Sequence, residues 1–173
     1  METRTTLMRG NPLPLAGPEL KVGDAAPDFR LHHRSPDGLK ELTLEDYSGK
    51  TLLLNVVLSI DTPICEMQTK RFNEEVISLP ATVEVLTVSM DLPFAQARFC
   101  SEKQVHHLQV ASDHRDAAFG RDYGVLIEPL RLLSRAVFVV GPDRTLKYVE
   151  YVPEVTDQPN YEAALAAVRE PND

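Results

Sequence analysis

Leu52-Leu53-Leu54-Asn55-Val56-Val57-Leu58 is a short, almost wholly apolar run that leads directly into Ser59-Ile60-Asp61-Thr62-Pro63-Ile64-Cys65. Such a run, without polar alternation, fits a strand covered on both faces. Thr62 can then cap a helix and Pro63 suits its first position, where a missing N–H costs nothing. A buried strand that feeds straight into a helix restricts the chain to α/β architectures, with helices lying on a sheet.

The pattern repeats downstream. Val83 to Met90 is a second β-rich run, and Asp91-Leu92-Pro93 opens a helix through about Lys103, which makes a βαβα order with a parallel sheet as its default. Within the first helix, Ile64, Met67, Phe72, Val76 and Leu79 recur at helical spacing and predict its buried face. Val110-Ala111-Ser112 reads as a short strand and Asp116 to Tyr123 as a short helix stopped by Gly124. Ala136 to Val140 and Leu146 to Val152 flank the turn Gly141-Pro142-Asp143-Arg144 as a β-hairpin, and Asn160 to Arg169 forms a last helix after Pro159.

Upstream, Thr3 to Met8 and Leu13 to Leu15 flank Arg9-Gly10-Asn11-Pro12, again a hairpin signature. Ser35-Pro36-Asp37-Gly38 is a turn, and Thr43-Leu44-Glu45-Asp46-Tyr47 is a helical turn ended by Gly49. A βαβ unit followed by a hairpin and a final helix predicts an α/β thioredoxin-like fold, with a central mixed β-sheet flanked by helices. No linker divides the chain, so the expectation is one domain over 1–173, with 1–18 as an N-terminal β-hairpin extension.

Charge and hydropathy exclude several functions. Acidic residues outnumber basic ones 26 to 18, and no Lys/Arg block forms a phosphate-tracking stripe, so nucleic acid is not an expected partner. No apolar stretch nears the roughly 20 residues that span a bilayer, and Met1 to Thr6 lead into no signal-peptide core. The expected location is the cytoplasm. The 2 cysteines are too few for a disulfide scaffold yet enough for a dithiol/disulfide cycle, although two core cysteines would give the same count.

Cys65 falls in the first turn of its helix, where unpaired N–H groups and the positive dipole end favour an anion such as a thiolate. Glu66 opposes this, and a packed core cysteine is an equal reading of position alone. Cys100 sits on the next helix, where filling space beside Phe94 and Phe99 is the simpler reading. Arg135 precedes the run Ala136 to Val140, where a guanidinium either has an anionic partner or marks the surface limit of the strand; the second is favoured in isolation. His32, His33, His106, His107 and His114 lack metal-ligand spacing and read as exposed loop histidines, so no metal is expected, and no cofactor loop or serine-hydrolase elbow is present.

Several segments together resemble the bacterial thiol peroxidase subfamily of peroxiredoxins. They are Ser59 to Cys65, Arg71-Phe72-Asn73 and Asp91 to Cys100, joined in order by Arg9 to Pro12, Val22 to Phe29, Tyr123-Gly124-Val125, Ser134 to Val137 and Pro159-Asn160-Tyr161. The resemblance implies a homodimer that reduces hydrogen peroxide and organic hydroperoxides without a cofactor. It matches Cys65 to the family's peroxidatic cysteine, Cys100 to its intrachain resolving cysteine, and Thr62 and Arg135 to the residues that hold the thiolate and the peroxide oxygens. It also implies a Cys65–Cys100 disulfide recycled by thioredoxin. The wider motif is Pro-x-x-x-Thr-x-x-Cys, and its proline position is Leu58 here, a departure that bears on rate, substrate preference and overoxidation. A redox sensor with turnover slowed by Leu58 is the second expectation. A general thiol-disulfide oxidoreductase is the third, with the missing Cys-x-x-Cys against it.

Overall fold

A computed structural model describes residues 3–171; Met1 and Glu2 of the anticipated 1–18 extension and the last two positions of 1–173 lie outside them. The chain opens with β1 (Thr5–Met8) and β2 (Asn11–Ala16), joined at Arg9-Gly10, both with positive φ as a tight hairpin turn demands. Next come β3 (Arg30–Ser35), β4 (Gly38–Thr43) and a 3-10 turn at Leu44–Tyr47, where the Thr43 N–H donates to Asp46 Oδ2 at 2.8 Å. The run that opens the βαβ unit is β5 (Thr51–Val56), followed by α1 (Pro63–Glu75), β6 (Val83–Ser89), α2 (Pro93–Glu102) and β7 (Gln109–Ser112). Then follow α3 (Ala118–Asp122), the two-residue strands β8 (Leu126–Ile127) and β9 (Leu132–Leu133), the hairpin β10 (Ala136–Val140) with β11 (Leu146–Tyr151), and α4 (Tyr161–Arg169).

Seven strands form the central sheet in the order β11-β10-β5-β6-β7-β3-β4. β5, β6 and β7 run parallel, as the βαβ pattern predicts, while β10 joins β5 and β3 joins β7 antiparallel, so the sheet is mixed. Alternation along β5 and β10 divides the core. Leu52, Leu54, Val56, Ala136, Phe138 and Val140 face a cluster containing Phe29, Phe119 and Tyr123, whereas Leu53, Val137 and Val139 face one built with Phe72 of α1, Phe99 of α2 and Leu165 of α4. This is a thioredoxin-like fold, and among the described residues no helix is long and apolar enough to cross a membrane.

A second sheet, β1-β2-β8-β9, carries the N-terminal hairpin against the body of the fold. Arg4 fastens the hairpin's exit: its Nη1 donates to the carbonyls of Gly17, Pro18 and Gly124 at 3.2, 3.1 and 2.9 Å. At Gly124 (φ +69°) an added Cβ would lie 1.9 Å from the Pro18 carbonyl oxygen, whereas at Gly49 (φ +77°) it would meet open space. Gly49→Ala therefore bears only left-handed backbone strain, about 1–2 kcal/mol, and Gly124→Ala adds a backbone clash to it. Urea titration should show Gly124→Ala losing at least twice the stability lost by Gly49→Ala.

Candidate active site

Cys65 is fully buried in the first turn of α1. Thr62 holds the N-cap position in an extended conformation, yet its hydroxyl donates to the Ser59 carbonyl at 2.9 Å and makes no capping bond. The expected cap is thus corrected: the hydroxyl tightens the loop ahead of the helix, leaving first-turn N–H groups for an anion.

Arg135 is 2% exposed, which overturns its reading as the surface limit of a strand. Its Nη2 lies 3.3 Å from Cys65 Sγ, and the same nitrogen donates to the Val155 carbonyl at 2.6 Å. Nε donates to that carbonyl at 3.0 Å and Nη1 to Gln68 Oε1 at 2.6 Å. Gln68 in turn donates through Nε2 to Asn55 Oδ1, and Asn55 Nδ2 donates to Thr87 Oγ1 at 2.9 Å and Thr69 Oγ1 at 3.3 Å. Asn55, Gln68, Thr69 and Thr87 are all fully buried. A buried guanidinium is tolerated here because its donors meet acceptors, and one of those donors is directed at the Cys65 sulfur.

This network also corrects the predicted face of α1. Met67 is 50% exposed, and the buried positions are Cys65, Gln68, Thr69, Phe72 and Asn73. The helix turns a largely polar side inward because β5 presents Asn55 and β10 is preceded by Arg135. Asn55, Gln68 and Thr69 were not anticipated; the one polar residue inside the apolar β5 run was their only sequence signal.

The loop before α1 is tied to the start of α2. Asp91 accepts from Ser59 Oγ at 2.7 Å and from the Ile60 N–H at 3.0 Å, and Ser89 Oγ also donates to it. Glu66, expected to oppose a thiolate, pairs with Lys103 at 3.3 Å. A cleft of about 450 Å³ opens between the two helices, lined by residues that include Ile60, Glu66, Asp91, Arg98 and Phe99.

Cys100 is partly buried on α2, at the margin of the same apolar cluster that holds Cys65. It lines a different cleft, with His33, Gln96, Val105 and Val110; of the two aromatic neighbours expected beside it, Phe99 is buried in that cluster and Phe94 is 56% exposed. Both cysteines are free thiols. The structure thus joins Cys65 to Arg135, sets Thr62 one turn ahead, and leaves Cys100 unbonded to them. His106 and His107 are exposed in a loop as expected, whereas His32 and His33 lie in β3, and His32 is buried with Nε2 3.2 Å from Arg115 Nη1.

Burial pushes the Cys100 thiol up from its usual 9.0 to about 11. The folded state then keeps a proton that the unfolded chain releases, so this contribution to stability is present below pH 9 and lost as pH rises towards 11. Urea midpoints measured from pH 8 to 11 should fall less steeply for Cys100→Ser than for the unaltered protein. At neutral pH the packed thiol offers little thiolate for attack on another sulfur.

Leu58 is partly buried and packs against two groups, the Cys65 cluster and a smaller one of Leu15, Ile127 and Val155 with Met8 and Leu13. It gives the apolar cover that a proline would give at this position, without fixing φ.

Residues 21–165 match the Redoxin family model. The chain is 51% identical over 161 residues to a thiol peroxidase of Halalkalibacterium halodurans, covering 93% of this chain and 95% of the relative. It is 47% identical over 161 residues to the Bacillus subtilis thiol peroxidase, covering 93% and 94%. Among solved structures, a peroxiredoxin-like protein from Aquifex aeolicus superposes with a TM-score of 0.87 at 40% identity, covering 96% of both chains. A thiol peroxidase from Chromobacterium violaceum shares the fold, with a TM-score of 0.84 at 22% identity over 97% of both chains.

Proposed function

The chain belongs to the bacterial thiol peroxidase subfamily of the peroxiredoxins and is a peroxidase of that type, and from this premise we propose that Cys65 is its peroxidatic cysteine and Cys100 its intrachain resolving cysteine. The observation that carries the reading is the Arg135 guanidinium, 3.3 Å from a fully buried Cys65 sulfur.

In the first step the Cys65 thiolate attacks the terminal oxygen of a hydroperoxide. An S–O bond forms, the O–O bond breaks, and water or an alcohol leaves after taking a proton. The sulfur is oxidised to a sulfenic acid as the peroxide is reduced. Four of the five Arg135 N–H groups are engaged, and the second N–H of Nη1 has no protein acceptor among the described residues, which suits it to a peroxide oxygen as charge develops there. Thr62 supports the same centre: its hydroxyl is one turn from the sulfur and needs only to exchange the Ser59 carbonyl for a substrate oxygen.

In the second step the Cys100 sulfur attacks the Cys65 sulfur, the S–S bond forms, the S–O bond breaks and water leaves. The separate cleft of Cys100 and its raised thiol support a prior local unwinding of α2 or of the first turn of α1, which would bring the sulfurs together and free Cys100 to ionise. A dithiol protein, thioredoxin in this reading, then reduces the disulfide. The domain spans 1–173 and acts as a homodimer in the cytoplasm, where such a reductant keeps thiols reduced.

The test is peroxide-dependent NADPH consumption with thioredoxin and thioredoxin reductase. Sustained turnover supports the cycle; rapid stoichiometric oxidation with slow turnover favours the sensor reading instead, and unchanged turnover in Cys65→Ser overturns the assignment.

A further inference from the structure

The nitrogen that Arg135 presents to Cys65 is also held by the Val155 carbonyl, which takes Nη2 at 2.6 Å and Nε at 3.0 Å. The place of one main-chain oxygen therefore sets how the guanidinium meets the sulfur. Val155 lies beyond the end of β11, outside any strand or helix, so the sheet does not fix that oxygen.

The N-terminal hairpin does. The Val155 N–H donates to the Leu7 carbonyl and the Leu7 N–H donates to the Pro153 carbonyl, each at 2.8 Å. Between these two bonds, Glu154 Oε1 accepts from the Gly10 N–H at the hairpin turn at 2.8 Å, while its Oε2 accepts from the Thr156 N–H at 3.0 Å and the Thr156 hydroxyl at 2.9 Å. These backbone donors hold the Glu154 carboxyl down to about 2, so it remains a charged acceptor across the working pH range. Beneath this clamp the Val155 side chain packs with Leu15 and Ile127, with Met8, Leu13 and Leu58 against them. The Redoxin match begins at residue 21, after the hairpin, so this support comes from outside the matched segment.

We propose that the β1–β2 hairpin is a positioning element of the active site, in which Leu7 and Glu154 fix the Val155 carbonyl and thereby aim Arg135 at Cys65. This rests on the reading of Arg135 as the group that activates Cys65. The effect is indirect and geometric. Displacing a catalytic group by about 1 Å costs up to roughly 10²-fold in rate, so loosening one of several ties should cost about 10-fold.

The experiment is a cycle of four proteins, unaltered, Glu154→Ala, Arg135→Met and the double variant, with single-turnover oxidation of Cys65 by hydrogen peroxide followed by rapid quenching and intact mass. Glu154→Ala is expected to slow oxidation about 10-fold when Arg135 is present and less than about 2-fold in Arg135→Met, because the clamp has nothing left to aim. An equal factor in both backgrounds, or no slowing in the first, overturns the proposal, since a merely structural tie would act whether or not the guanidinium is there. Leu7→Pro is the second probe: it deletes the N–H donated to Pro153 and predicts the same asymmetry if Glu154→Ala folds poorly. Oxidation of Arg135→Met at the unaltered rate would instead refute the underlying reading of the site, and the hairpin's role with it.

Discussion

Cys65→Ser is expected to lower peroxide reduction by about 10³-fold or more while leaving the fold in place. Serine is nearly isosteric with cysteine and its oxygen can accept the Arg135 N–H now directed at sulfur, so the buried network loses no partner. What disappears is the nucleophile. A serine hydroxyl is a far weaker nucleophile than a thiol and no general base stands beside it here, so the donor directed at this position has no reactive group to assist. The measurement pairs a coupled peroxidase assay with urea titration. Lost activity at stability within about 1 kcal/mol of the parent is the expected result.

Arg135→Met should reduce kcat/KM for peroxide by about 10²–10³-fold, the usual loss when a preorganised donor is removed from a developing negative charge. Unlike the serine variant, it should also cost stability. Gln68 Oε1 and the Val155 carbonyl would lose their donors in a site from which water is excluded, at about 1–3 kcal/mol for each group, offset by no longer burying a cation. Arg135→Lys would keep the charge but not the fork that reaches sulfur, amide and carbonyl together, and should restore no more than about a tenth of the lost rate. A Lys variant with full activity would mean that charge alone suffices and that the aim of the guanidinium is unimportant.

These effects turn on residues that differ in how plainly the sequence announces them. The start of α1 is local chemistry: Thr62-Pro63 after an apolar run marks the strand-to-helix turn, so the position of Cys65 could be read directly. The buried face of α1 could not. Apolar periodicity selects Met67, which is half exposed, and passes over Gln68, Thr69 and Asn73, because Gln68 and Thr69 are buried by bonding to Asn55 and Arg135, and Asn73 by accepting from the His107 N–H.

Arg135 shows the same limit. Its partners lie 67 residues upstream at Gln68, 70 upstream at Cys65 and 20 downstream at Val155, and nothing adjacent to it indicates them. In the sequence, only the family resemblance links Arg135 to Cys65. The N-terminal hairpin was legible from its turn, whereas its docking was not, because β8 and β9 have two residues each and carry no measurable period. The order of the strands, the tie from Asp91 to Ser59 and Ile60, and the clamp on Val155 likewise depend on contacts between distant segments.

The central claim is that peroxide oxidises Cys65 and that Cys100 resolves it within the same chain. Intact mass after one equivalent of hydrogen peroxide, under denaturing non-reducing conditions, tests it most directly. The unaltered chain should lose two hydrogens and remain a single chain, and Cys100→Ser should gain one oxygen that dimedone captures. A disulfide-linked pair of chains in the first, or disulfide formation that persists in the second, would contradict it.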